Sequence, residues 1–284
     1  MIVFLAGHPA SHARQQAVNN SHTTVIRLRL RPQPPTATSL PMSGWHRFAN
    51  PTRFSRLSAR ILPWALALTL VLFAVGLYLA LVGSPPDARQ KDTVRIMYIH
   101  VPAAWMALST YVLMAIFSGM GFIWKHPLAD IAAKNCAPVG AGFTLLALIT
   151  GALWGAPMWG TWWEWGDARL TSFLILFFLY LGYIALWQVF EDPEKAARAA
   201  AILAMVGLIN IPVIHFSVQW WNTLHQPASV FRRGGPTIDP AMLWPLFVML
   251  FAFKAYFVSV LLLRIRAEVA ERRVRALQMM QAEA

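Results

Sequence analysis

Five of the thirteen tryptophans fall within twelve residues, in the run Trp154-Gly-Ala-Pro-Met-Trp159-Gly160-Thr-Trp162-Trp163-Glu-Trp165-Gly166-Asp167, and Trp220-Trp221 follow in a later segment. An aromatic belt at a bilayer surface is one reading, but a belt usually contributes about one or two tryptophans per helix end. This cluster is denser and is broken by Gly160 and Gly166. Such a platform of indole faces suits a large, flat, amphiphilic aromatic ligand, which gains stacking and dispersion while the indole N–H groups meet its polar edge. Two histidines flank the platform in chain order, His100 ahead of Val101-Pro102 and His225 in Trp220-Trp-Asn-Thr-Leu-His225-Gln226. As neutral imidazoles they are able to ligate iron from opposite faces of a porphyrin, the plainer alternative being two solvated loop histidines. Arg95, Arg169, Arg232 and Arg233 are the nearby cations for haem propionates, or are simply solvated. Asp167, followed by Ala-Arg-Leu, also has the form of a helix N-cap.

The elements that must position these groups are membrane helices. Hydrophobic residues make up 57% of the chain and charged ones only 13%, and the mean hydropathy is +0.50, well beyond a soluble domain. Six apolar runs, at 61–83, 102–124, 137–157, 170–190, 199–216 and 242–263, each approach the ~20 residues that cross ~30 Å of hydrocarbon. The fold expected is an all-α polytopic membrane protein with six transmembrane helices. Pro212 and His215 make the fifth span the shortest. With an inside N-terminus, thirteen Lys and Arg flank the spans on the cytoplasmic side against six outside, so both termini are expected in the cytoplasm. The segments 84–101, 155–169 and 217–241 then share the outer side.

The net charge of +12 is spread in short segments between apolar runs, which is membrane topology and argues against a nucleic-acid partner. Residues 1–41 are basic, rich in Ser, Thr and Pro and free of acids, and read as a disordered extension or a mis-called start. The membrane domain is expected over 42–264, followed at 265–284 by a basic amphipathic tail suited to anionic lipid or a cytoplasmic partner. Cys136 is the single cysteine, so thiol chemistry is set aside. Of the remaining histidines only His215 competes as a ligand, and a transmembrane b-type cytochrome lacks its matched pairs. Lys254, midway through the last span, reads as functional, its partner an internal acceptor or another subunit and its alternative a stem snorkelling into a packed interior.

Three motifs in order, His100-Val-Pro-Ala-Ala-Trp105, Pro157-Met-Trp-Gly-Thr-Trp-Trp163 with Asp167-Ala-Arg-Leu-Thr-Ser172, and Trp220-Trp-Asn-Thr-Leu-His-Gln226, resemble the haem exporter protein C branch of the tryptophan-rich "WWD" haem-handling family. The resemblance covers residue 42 to the end of the sixth span. It implies a multi-pass protein of the bacterial inner membrane that binds haem b at the periplasmic face, with axial ligands mapping onto His100 and His225. It also implies presentation of haem to a periplasmic haem chaperone during cytochrome c maturation, beside the ATPase and membrane subunits of an ABC transporter and a small single-span accessory subunit. On this reading Trp159, Gly160, Trp162, Trp163, Trp165, Asp167, Arg169, Trp220 and Trp221 line the haem site and the protein is not an enzyme. A haem lyase acting on apocytochrome c is the alternative, but lyases of the family are larger; a haem pore is a third, but apart from Lys254 and His215 the spans lack polar lining. The family motif runs Trp-x-Trp-Asp, whereas Gly166 here separates Trp165 from Asp167.

Overall fold

Seven α-helices make up six membrane-length spans in the computed structural model, which describes residues 50–227 and 229–283. The expectations for residues 1–41 lie outside the described residues. The helices are α1 (Pro51–Tyr78, continued by a wider turn at Leu79–Gly83), α2 (Met97–Trp124), α3 (Pro127–Trp159), α4 (Ala168–Val189), α5 (Pro193–Gly207), α6 (Asn210–Trp220) and α7 (Pro240–Ala282). Asn50, His126, Asp192 and Asp239 each cap a backbone N–H with the side chain and precede a proline, which needs no donor in a helix's first turn. These pairs start four of the helices.

The fifth span is longer than the hydropathy run and is broken. Pro212 has no N–H for the Leu208 carbonyl and its ring crowds that group, so α5 ends at Gly207 and α6 restarts at Asn210. Asn210 bridges the break by donating from its amide to the Ser172 carbonyl of α4 at 2.9 Å. The last span continues into the tail, since α7 runs unbroken to Ala282. Its Ile265 and Val269 are buried with Leu128 and Ile131 of α3, and Glu268 receives Lys134 at 3.0 Å and Arg272 at 2.9 Å. The first turns of the tail therefore pack against α3.

The bundle centres on α2, which packs against α3, α5 and α7, while α4 closes on α3 and α1 lies along α7. Small residues, among them Ala103, Ala107, Ala137 and Ala204, line the contacts and let backbones approach closely, as helices in lipid require. Tyr180 spans the interior, its hydroxyl donating to the Ala107 carbonyl at 2.8 Å. A Cβ at Gly140 would land inside the Tyr180 phenol ring. Gly140→Ala is therefore expected to cost ~1–3 kcal/mol by overpacking. At Gly142, two residues on, a Cβ meets nothing within 4 Å, so Gly142→Ala is expected to be neutral. Unfolding midpoints of the purified variants, compared side by side, check both.

Lys254 is exposed on α7 rather than buried in the bundle, which removes the internal acceptor and the packed-interior reading. An ammonium at that depth costs roughly 2.5–3.5 kcal/mol on insertion scales.

Candidate functional site

Because the chain crosses back and forth six times, the segments 84–96, 160–167 and 221–239 all emerge at one end of the bundle. His100 lies in the first turn of α2 and leans on α3. Its Nδ1 is 3.0 Å from the Ala147 carbonyl oxygen and 3.1 Å from Thr150 Oγ1. A carbonyl only accepts, so Nδ1 carries the hydrogen, and in the neutral ring the Nε2 lone pair is left to point away. Gly151 lets the ring lie flat on α3, since a Cβ there would sit 3.0 Å from His100 Cε1. Trp154 flanks the imidazole edge-on at 5.7 Å between ring centres and is itself pinned by Nε1–H donation to Gln90 Oε1 at 2.8 Å.

The helix that supports His100 also reaches the second histidine. α3 stops at Gly160, whose φ of +73° is the left-handed conformation that glycine adopts cheaply, and its N–H closes on the Ala156 carbonyl. Just before it, Trp159 folds back over Gly155, where a Cβ would come within 2.9 Å of the indole. The His225 ring packs on Trp159 at 5.0 Å between centres. Both imidazoles thus meet the C-terminal part of α3, His100 at Trp154 and His225 at Trp159.

Asp167 connects the tryptophan loop to the His225 loop. Its Oδ1 caps α4 by accepting from the Arg169 and Leu170 N–H groups, both at 2.9 Å, and its Oδ2 accepts from Leu224 N–H at 2.7 Å. The expected N-cap is present, and the same carboxylate fastens a segment 57 residues away. Oδ2 also faces His225 Nδ1 at 3.9 Å, too long for a hydrogen bond, and among the described residues that buried nitrogen has no hydrogen-bond partner. Burial opposes ionisation of Asp167, but the His225 ring and the Leu170 and Leu224 amides outweigh it and hold the carboxyl at about 2.

The tryptophans form two groups. Trp163 and Trp165 meet edge-on at 5.5 Å, with Trp162 and Trp165 among the most exposed side chains and Trp163 Nε1 buried without a partner among the described residues. Trp220 and Trp221 meet at 5.7 Å at the end of α6 and are likewise exposed. Arg169 links the groups by donating from Nε to Ser217 Oγ at 3.1 Å and from Nη2 to the Ile214 and His215 carbonyls at 3.4 Å. Of the other arginines, Arg95 is occupied by Asp92 at 3.0 Å and by the Ala80 and Leu81 carbonyls, while Arg232 and Arg233 are exposed and form no salt bridge among the described residues. The His215 ring is exposed against Phe216, and only its backbone carbonyl enters these contacts.

The donor set fits an iron porphyrin. Among the described residues no three of His, Cys, Asp and Glu gather, so a bare metal ion has no cage. A porphyrin supplies four equatorial nitrogens itself and asks the protein for two axial donors and apolar cover. Sequence reasoning missed Gln90, Ala147, Thr150 and Gly151, the groups that aim His100 and Trp154. Their spacing from His100 along the chain carries no signal, because only the pairing of α2 with α3 brings them together.

Comparison with known proteins gives the same direction. The family model described as "Heme exporter protein C" matches residues 44–280. The chain is 58% identical to Heme exporter protein C of Bradyrhizobium diazoefficiens over 82% of this chain and 88% of the relative. It is 45% identical to that of Paracoccus denitrificans over 83% and 97%, and 44% identical to that of Escherichia coli K12 over 78% and 89%. With the family's motif residues gathered at one end of a six-span helical bundle, the chain belongs to the haem exporter protein C family of cytochrome c maturation.

Proposed function

We propose that the chain binds haem b between His100 and His225 on the periplasmic side of the bacterial inner membrane and presents it to a periplasmic haem chaperone. The observation that carries this reading is the parallel setting of the two imidazoles. Nδ1 of His100 is held by the Ala147 carbonyl and the Thr150 hydroxyl, and Nδ1 of His225, without a hydrogen bond among the described residues, is turned toward the Asp167 carboxylate at 3.9 Å. An anchored Nδ1 with an outward Nε2 is how proteins orient metal-binding histidines. The exposed faces of Trp162, Trp165, Trp220 and Trp221 offer cover for the macrocycle, and Arg232 and Arg233, which form no salt bridge among the described residues, are cations for its propionates.

Bound haem supplies the reactive vinyl edge and the iron; the protein supplies grip, orientation and a water-poor setting. The ABC-transporter pair belongs to the later release of the loaded chaperone, and a small single-span accessory subunit is a further partner. Periplasmic placement rests on the cation bias of the segments between spans.

The test is hand-over. Purified chain loaded with one equivalent of haem is expected to lose its absorption spectrum to added apo-chaperone as the chaperone gains haem covalently. Haem that stays on the chain, or that moves directly onto apocytochrome c without chaperone, would count against the proposal.

A further inference from the structure

Lys254 stands ten residues from Trp244 on one side and ten from Arg264 on the other, so its Cα is about 15 Å along α7 from either membrane surface marker. A lysine stem extends only about 6 Å, which reaches neither interface. Among the described residues the ammonium forms no salt bridge.

The side chains around it repeat in a specific way. Trp244, Phe247, Phe251, Lys254, Val258 and Leu261 follow one another at alternating steps of three and four residues, the seven-residue repeat of a helix–helix seam. Trp244, Phe251 and Val258 are 69%, 55% and 43% exposed and Lys254 is exposed with them, while Phe247 and Leu261 at the edge of the stripe pack partly against the core, so the Trp244–Phe251–Lys254–Val258 line is left uncovered. An apolar stripe alone is content in lipid, but a charged group at its centre is not. A second copy of the chain cannot answer the charge either, because the interiors of all six spans contain no Asp or Glu.

We propose that the Trp244–Leu261 stripe of α7 is the docking seam for a transmembrane helix of a different subunit, one that carries an Asp or Glu at mid-membrane depth opposite Lys254. The carboxylate neutralises the ammonium where water is absent, and the flanking aromatic and β-branched side chains interlock with the incoming helix.

The test uses the full chain expressed together with the other subunits of its maturation system, with photoreactive benzoylphenylalanine at position 251. After irradiation, mass spectrometry of the cross-linked peptide is expected to return a membrane segment of another chain with an Asp or Glu within about one turn of the cross-link. Lys254→Arg should keep the yield within about twofold, and Lys254→Ala should cut it at least tenfold. Lys254→Met retains the aliphatic stem and removes only the charge, so it should show the same loss. A charge exchange, Lys254→Glu with Lys at the partner's carboxylate, should restore the cross-link. Cross-links to lipid alone, to a second copy or to a segment without a carboxylate would overturn the proposal, as would full yield with Lys254→Met.

Discussion

Replacing His100 or His225 with alanine is expected to lower haem affinity on the order of a hundredfold, and replacing both should abolish specific binding. Outer-shell partners of a metal ligand typically matter by about 10–100-fold, so loss of the ligand itself should reach at least the upper end. The wild-type spectrum should be that of low-spin iron with two imidazoles. Each single variant should become high-spin or take an exogenous ligand, and free imidazole should return the low-spin form by entering the space the ring vacated. Thr150→Val makes a sharper test of the geometry. It removes one of the two acceptors on His100 Nδ1 and leaves the Ala147 carbonyl, so affinity should fall less than tenfold with the low-spin spectrum retained. A double histidine variant with unchanged spectrum and affinity would sink the axial-ligand assignment.

Among changes that leave both proposed iron ligands in place, Asp167→Ala should be the most damaging in the site. It deletes the α4 cap, worth ~0.5–2 kcal/mol, and strands the Leu224 amide, at ~1–3 kcal/mol if left unpaired. Because Leu224 adjoins His225, the loss of about 2–4 kcal/mol in stability should come with weakened haem binding. Asp167→Asn should fall between alanine and wild type, since its oxygen can still cap α4 while its amide opposes the Leu224 donor. The pH dependence has a definite sign. The folded carboxyl sits at about 2 against an ordinary 3.8, so its ionised form contributes stability that is complete above about pH 4 and is lost as pH falls toward 2. The stability gap between wild type and Asp167→Asn should close across that window. A gap that stays constant with pH would mean that charge on Asp167 plays no part. Chemical unfolding followed by tryptophan fluorescence at several pH values reads this directly.

Six spans, the sharing of one side by the three tryptophan- and histidine-bearing segments, and the cap at Asp167 were all legible from residue order. Each depends on hydropathy, on the parity of membrane crossings or on a contact within three residues, and these are properties of a line. The long-range partners were not legible. His100 meets Ala147 and Thr150 across 47 and 50 residues, and Asp167 meets Leu224 across 57, because helix packing chooses which faces touch. The break of the fifth span shows the division within a single element. Pro212 announced a defect, but the defect became a hinge inside one crossing rather than an early end because Asn210 found the Ser172 carbonyl on α4. Lys254 was marked as unusual by its depth in an apolar run. Only the tertiary structure, by filling the bundle interior with other side chains, decided that it faces outward.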